Sequence, residues 1–209
     1  MASQLVTSPN SAAARRPIGG QFVQWCVRRR VQISVVVFAA LIGLDLFIFH
    51  SWPRDIFKPA DPLAMVSLAL VILGLLIRAW AAGMLRKQKQ LATTGPYALV
   101  RHPLYFGSFL MMIGFGVLIH DPLTLWVIAG PLVWLYWQTI RSEEQRVAKY
   151  FAKDWAVYSA KVPRFIPYRL VRPNFGNWSL AQWLHNEEYQ AWIGSAVALG
   201  ALKVWQVFG

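Results

Sequence analysis

The thirteen residues from Gly95 to Gly107, GPYALVRHPLYFG, place two prolines, two tyrosines, an arginine and a histidine between two long apolar runs. Pro96 and Pro103 fix their own backbone angles and withdraw N–H donors, which predicts a stiff connection into a helix starting at Pro103. Tyr97, Arg101, His102 and Tyr105 are then presented at a helix start, where free backbone N–H groups favour a carboxylate or phosphate. The same residues suit an interfacial loop equally well, with arginine snorkelling, tyrosine in an aromatic belt and proline at a first helical position. Glu143 and Glu144 are adjacent carboxylates just beyond another apolar run. Acid and base at opposite ends could hold a zwitterion. The alternative for the two glutamates is a solvated acidic turn paired with Arg141 or Arg146, a contact worth little.

Other polar residues fall inside or beside apolar runs, where charge is a functional candidate by default. Arg78 is open to a functional role or to snorkelling. Asp45 with His50 suits a structural polar contact, Lys203 an outward-snorkelling cation, and His120 with Asp121 a turn cap. Cys26 is the single cysteine. It rules out an internal disulfide or a CxxC metal site, and no metal centre is expected.

These side chains need a scaffold, and composition says which. The 209 residues are 56% hydrophobic and 14% charged, with a mean hydropathy of +0.40. Soluble domains carry about 25% charged residues, so an integral membrane protein is indicated. Lys+Arg 21 against Asp+Glu 9 gives a net charge of +12. The cations flank apolar runs, which points to a membrane face and not to nucleic acid. A crossing helix needs about 20 mostly apolar residues, and five stretches approach this: 31–52, 62–85, 103–120, 122–140 and 190–208. The expected fold is therefore an all-α polytopic membrane bundle of about five transmembrane helices. Residues 1–30 read as a disordered basic tail, and 31–209 as a single transmembrane domain.

Orientation follows the cations. Arg15, Arg16 and Arg28–Arg30 lie in the tail; Arg86, Lys87, Lys89 and Arg101 in the motif loop; and Arg141, Arg146, Lys149, Lys153, Lys161 and Arg164 after the fourth run. All three groups fall on one side if every run crosses, so the N-terminus and the polar loop are expected at the cytoplasm. Residues 141–167 show charged and aromatic residues at helical spacing, which predicts a cytoplasmic amphipathic helix after the fourth span. It should stop at VPRFIP. Tryptophans in 177–192 suit a helix lying in the headgroup zone.

RAWAAGMLRKQKQLATTGPYALVRHPLYFG, followed by RSEEQRVAKYFAKDWAVYSAKVPRFIP, resembles the isoprenylcysteine carboxyl methyltransferase family, whose superfamily includes the phospholipid N-methyltransferases. The likeness covers residues 78–167. It implies a helical membrane enzyme that binds S-adenosyl-L-methionine on the cytosolic side. Tyr97, His102, Pro103, Leu104 and Tyr105 would contact this cofactor, within a block that also holds Arg101 and Gly107. Lys89, Gln90, Leu91 and Ala92 match the linker that approaches it, and Glu143 or Glu144 would engage it from the second block. Arg141 would be a substrate-side group, and Arg164 would lie in the closing segment.

The residue chemistry agrees with that picture. His102 or Arg101 could hold the acid end of such a zwitterion, a glutamate its ammonium or hydroxyls, and tyrosine faces its sulfonium. The acceptor is left open as a lipophilic or small carboxylate, thiol or amine, and only an amine would need Glu143 or Glu144 as a base. The partners are the bilayer and this acceptor; no copy number is implied. Two rivals are an NADPH-dependent sterol-type reductase, whose phosphorylated cofactor a carboxylate pair would repel, and a non-enzymatic membrane protein with a vestigial site.

Overall fold

A computed structural model describes residues 25–26, 29–44, 48, 52–56, 58, 60–86, 90–167 and 178–208. Most of the basic tail, Asp45, His50 and Lys89 lie outside the described residues. The described residues form helices and turns with no strand, as long apolar runs in a membrane-type sequence lead one to expect. In chain order the helices are α1 (Arg30–Leu44), α2 (Pro62–Met84), α3 (Pro103–Ile119), α4 (Pro122–Tyr150), α5 (Ala152–Lys161), α6 (Leu180–His185) and α7 (Tyr189–Phe208).

Three of these helices begin at an X-Pro step. Asp61 accepts the N–H groups of Leu63 and Ala64 at the head of α2, and Asp121 accepts those of Leu123 and Thr124 at the head of α4. Proline at the first position loses nothing, because that N–H has no helical partner anyway. His102 holds the same position before α3 but makes no side-chain cap; its ring is used elsewhere. Asp121 is thus the turn cap expected of it.

The second expected span is realised almost residue for residue as α2, 23 residues long and about 34 Å at 1.5 Å per residue. Together α2 and α4 are the helices long and apolar enough to cross a membrane, while α3 is a shorter apolar helix of 17 residues. By the same measure α1, with 15 residues, is short. α7 has 20 residues but is interrupted by Lys203. That cation does not snorkel to solvent alone: it donates to Asp55 at 3.0 Å.

The largest departure from the sequence reading lies after Ile140. The helical stretch expected over 141–167 is divided in two. Its first part continues the fourth span, since α4 runs for 29 residues through RSEEQR to Tyr150, and its second part is the separate helix α5. Nothing between Ile140 and Tyr150 breaks a helix, and the first interruption is at Phe151, whose backbone leaves helical geometry (φ −129°, ψ 44°). Pro131 sits inside α4 and is absorbed by a one-turn π segment, Ile128–Leu132, the usual answer to a lost backbone donor. The end at VPRFIP is as expected, with Val162 extended.

α2 and α3 meet along a seam of small residues spaced seven apart, Ser67 and Gly74 against Gly107 and Gly114. A Cβ on Gly74 would stand 2.5 Å from the Gly107 carbonyl oxygen, and one on Gly114 would stand 2.7 Å from that of Ser67. Such backbone-to-backbone approach is how helices pack in lipid, where side-chain burial gives little drive. The stretch from Trp178 to Glu188 then folds back onto the C-terminal end of α2. Trp178 Nε1 donates to the Ala79 carbonyl at 3.1 Å, and the Ser179 N–H to that of Gly83 at 3.0 Å. As a result the end of α2, the start of α3, the last turns of α4 and the start of α7 gather in one place.

Candidate active site

The polar loop between α2 and α3 is built to hold shape. Gly95 has φ +61°, the left-handed region that glycine enters at no steric cost, and opens a short 3₁₀ turn, Gly95–Ala98. Tyr97 is buried within it. Its carbonyl accepts the Tyr158 hydroxyl at 2.7 Å, which ties the loop to α5. Its own hydroxyl is buried with no partner among the described residues. Burial pushes the Tyr97 phenol well above its ordinary pKa, so that hydroxyl remains a neutral donor awaiting an acceptor. The Arg101 N–H donates to the Pro163 carbonyl at 2.8 Å and fastens the loop to the segment after α5.

The two glutamates, adjacent in sequence, have different surroundings. Glu144 is buried and accepts from three basic side chains: His102 Nε2 at 3.1 Å, an Arg101 terminal nitrogen at 3.1 Å, and Arg164 through two nitrogens, the nearer at 2.7 Å. The pairing with Glu144 raises the Arg164 guanidinium above its ordinary pKa. One carboxylate therefore joins the loop, the tip of α4 and the segment after α5. Glu143, one residue back, accepts the Tyr105 hydroxyl at 2.7 Å and faces a cavity. Glu144 positions; Glu143 is free to touch a ligand.

Three cavities adjoin here. The first, about 320 Å³, is lined by Gln90, Leu91, Ala92, Tyr97, Arg101, His102, Tyr105 and Glu143, with aromatic walls from Trp155 and Tyr158. The second, about 270 Å³, shares Tyr97, Arg101, His102, Tyr105 and Glu143 with the first and adds Pro103, Leu104, Arg78, Tyr136 and Glu188. The third, about 740 Å³, shares Arg78, Ser108, Tyr136, Asn186 and Glu188 with the second and continues along α7 between Met111, Phe115, Leu202 and Trp205. A polar compartment thus shares walls with an apolar one. An unpartnered buried tyrosine hydroxyl, an Arg101 Nε with no partner, a carboxylate and aromatic faces suit a small zwitterion with a cationic centre in the polar part.

Most residues expected at the site are brought together, but not all. Lys89 lies outside the described residues. Gly107 lines none of these cavities. It belongs to the α2–α3 seam, where a Cβ would meet the Gly74 carbonyl oxygen at 2.7 Å. Arg141 is exposed, with its guanidinium 6.0 Å from the Trp137 ring centroid, and lines no cavity. Two residues of helix, about 200° of rotation at 3.6 residues per turn, turn it away from Glu143, which faces the cavity. Arg78 lines the second and third cavities, and its guanidinium is tied to Glu188 and Ser108. Glu188 was not anticipated. The available signal was Arg78 itself, since an arginine inside a span needs a buried anion and HNEEYQ is the acidic stretch bordering the last apolar run. Among the described residues no group of three or more His, Cys, Asp and Glu could hold a metal ion.

The phospholipid methyltransferase family matches residues 63–154, the stretch that carries α2, the polar loop, α3, α4 and both glutamates. The chain is 28% identical to the cobalt-zinc-cadmium resistance protein CzcN of Cupriavidus metallidurans, over 85% of this chain and 80% of that one. It is 31% identical to the nickel-cobalt-cadmium resistance protein NccN of Alcaligenes xylosoxydans xylosoxydans, over 66% of this chain and 62% of the relative. To the protein-S-isoprenylcysteine O-methyltransferase of Saccharomyces cerevisiae it is 35% identical over 37% of this chain, spanning only a third (33%) of the relative. No solved structure matches the chain.

Proposed function

We propose that this chain, which belongs to the isoprenylcysteine carboxyl methyltransferase-like family, moves a methyl group from S-adenosyl-L-methionine to a lipophilic or small acceptor at the join of its polar and apolar cavities. The observation that carries the reading is the wall of Tyr105 and Glu143 shared by the two polar cavities, beside the orphaned Tyr97 hydroxyl, with the apolar cavity adjoining the second of them at Arg78 and Tyr136. When bound, S-adenosylmethionine supplies an electrophilic methyl on a sulfonium. The Tyr97 hydroxyl and Arg101 Nε are donors for its carboxylate or ribose, and Glu143 is the acceptor for its ammonium or hydroxyls. The Tyr105 face suits a cation and excludes water from the reacting atoms. Glu144 holds His102, Arg101 and Arg164 in place without reaching the ligand, so the roles of the two carboxylates divide. A carboxylate or thiolate acceptor needs no base here; for an amine, Glu143 is the group placed to take the proton.

In this reading α1, α2, α3, α4 and α7 cross the bilayer, with the polar loop and the N-terminus at the cytoplasmic face. The soluble cofactor arrives from water and the acceptor from lipid, which explains why the densest polar chemistry lies where two phases meet. Outward apolar side chains such as Leu76 and Val197, 53% and 66% exposed, then face acyl chains.

The test is equilibrium binding by purified protein in nanodiscs, titrated separately with S-adenosylmethionine and NADPH. Saturable binding of the methyl donor that is lost in Tyr105→Ala and Glu143→Ala supports the reading. NADPH binding alone, or methyl-donor binding indifferent to both substitutions, refutes it.

A further inference from the structure

α5 has two unlike faces. Inward, Trp155 and Tyr158 wall the first cavity, and the Tyr158 hydroxyl is fixed to the Tyr97 carbonyl at 2.7 Å. Outward lie Lys153, Ala156, Val157, Ala160 and Lys161, all exposed, with Val157 at 58%. At 3.6 residues per turn these five fall within an arc of about 140°. A helix face that meets only water carries mostly polar and charged residues. This one interleaves three apolar residues with two cations.

The segment after α5 continues that face. Ile166 is 80% exposed, while Phe165 beside it packs against Phe109, ring centroids 5.6 Å apart. Phe109 stands six residues past the first residue of α3, about 9 Å along the helix axis. The Pro163 carbonyl holds the Arg101 N–H at 2.8 Å, so the segment runs from the polar loop down the side of α3. With α3 crossing the bilayer from that loop, the outer face of α5 lies at headgroup depth and Ile166 below it. Charge fits that placement. Residues 145–167 hold Arg146, Lys149, Lys153, Lys161 and Arg164 against the one acid Asp154. A helix of ten residues is too short to be stable alone in water, so whatever covers its outer face bears on the cavity wall behind it.

We propose that the outward face of α5 docks on the anionic lipid headgroups of the cytoplasmic leaflet, with Lys153 and Lys161 at the phosphates and Val157 and Ile166 among the upper acyl carbons. Cations and exposed apolar side chains on one face select a lipid surface, because a soluble phosphate would engage the lysines and leave Val157 and Ile166 in water. A consequence rests on the methyltransferase reading. Lipid that steadies α5 from outside holds Trp155 and Tyr158 against the polar cavity, so anionic lipid tightens the binding of S-adenosylmethionine.

The experiment uses the full chain in nanodiscs of phosphatidylcholine alone or of equimolar phosphatidylcholine and phosphatidylglycerol. A fluorophore is placed at Ala160→Cys in a Cys26→Ala background, and both discs carry a lipid with a nitroxide on its headgroup. Each lysine near an anionic surface is worth about fivefold in association, so the label should be quenched in the anionic discs and at least about fivefold less in the neutral ones. Lys153→Gln with Lys161→Gln should reduce quenching to the neutral level, and Lys153→Arg with Lys161→Arg should keep it, which separates charge from any local contact of either lysine. S-adenosylmethionine is itself a net cation and gathers at any anionic surface. Its affinity is therefore read as the wild-type gain from neutral to anionic discs divided by the gain of the glutamine variant, expected at about fivefold or more.

Equal quenching in the two discs overturns the docking, and so does quenching that the glutamine variant leaves unchanged. Inositol hexakisphosphate or polyglutamate that raises cofactor affinity in neutral discs as far as anionic lipid does overturns it in favour of a free phosphate or an acidic protein. A gain ratio near one beside charge-dependent quenching refutes the coupling and upholds the docking. Charge-dependent quenching in a protein that binds no S-adenosylmethionine in either disc refutes the methyltransferase reading and upholds the docking.

Discussion

Glu143 and Glu144 are neighbours that should fail differently when neutralised. Glu144→Gln keeps the volume but removes the charge and one acceptor from beneath the His102, Arg101 and Arg164 side chains. His102 and Arg101 are 7% and 15% exposed, so water replaces little of what they lose. Arg164, at 40%, is wet and its share is discounted. Two near-buried charge-assisted contacts at about 1.5–3 kcal/mol each, part of which the glutamine oxygen retains, leave a loss of about 3 kcal/mol. For a chain of this size that is roughly 6–12 °C in apparent Tm. Glu143→Gln removes a carboxylate that faces a cavity and keeps an acceptor for the Tyr105 hydroxyl. Its expected shift in Tm is below about 2 °C, yet its affinity for S-adenosylmethionine falls at least about tenfold. The assay is differential scanning fluorimetry of both proteins in one detergent, with calorimetric titration of the cofactor. A Glu144→Gln protein that melts with the wild type would refute the positioning role. A Glu143→Gln protein that melts early but binds normally would reverse the assignment.

Three further outcomes follow from the packing. Gly107→Ala puts a methyl group 2.7 Å from the Gly74 backbone oxygen, so α2 and α3 must part and Tm should fall by several degrees; Gly200→Ala, with nothing within 4 Å, should leave it unchanged or slightly raised. Tyr158→Phe deletes the 2.7 Å bond to the Tyr97 carbonyl, and a buried acceptor left without a partner is worth about 1–3 kcal/mol. The 3₁₀ turn should loosen, which is read as faster amide exchange at residues 95–98. In Gly83→Val the new Cβ would overlap the Trp178 ring, whose nearest atom lies 2.0 Å from that position. The Trp178–Ala79 contact should break, and limited proteolysis should then cut between α5 and α7 in the variant and not in the wild type.

Local chemistry was legible wherever one short stretch dictated it. Asp-Pro at 61–62 and 121–122 announced two capped helix starts, and the span 62–85 differs from α2 by one residue. GPYALVRHPLYFG and the two glutamates were recognisable as partners because a two-residue link forces α3 and α4 to be antiparallel. The contact of His102 with Glu144 at 3.1 Å is what that topology requires. What stayed hidden is register within a helix and contact between distant segments. Whether Glu143 or Glu144 faces the cavity depends on the helical phase of α4, and that depended on whether the helix stopped near Ile140 or continued to Tyr150. The charge change after Ile140 suggested a boundary, but charge marks where a helix leaves lipid and not where its hydrogen bonds end. For the same reason Arg141 was grouped with Glu143, from which two residues of helix turn it by about 200°.

Glu188 was harder still, because its partner Arg78 lies 110 residues away and no spacing rule spans that distance. Buried charge does offer a route, since an arginine inside an apolar run obliges some anion elsewhere in the chain to be withdrawn from water with it. Of the nine acidic residues, Asp61 and Asp121 cap helices, Asp55 meets Lys203, and Glu143 and Glu144 face the polar loop. Asp154 stands in the first turn of α5 and Asp45 within the first run, which leaves Glu187 and Glu188 at the head of the last helix. Charge conservation inside a low-dielectric bundle therefore narrows Arg78 to two adjacent candidates, and the backbone decides between them: Glu187 at φ +58° makes the turn, and Glu188 follows it into the wall of the cavity.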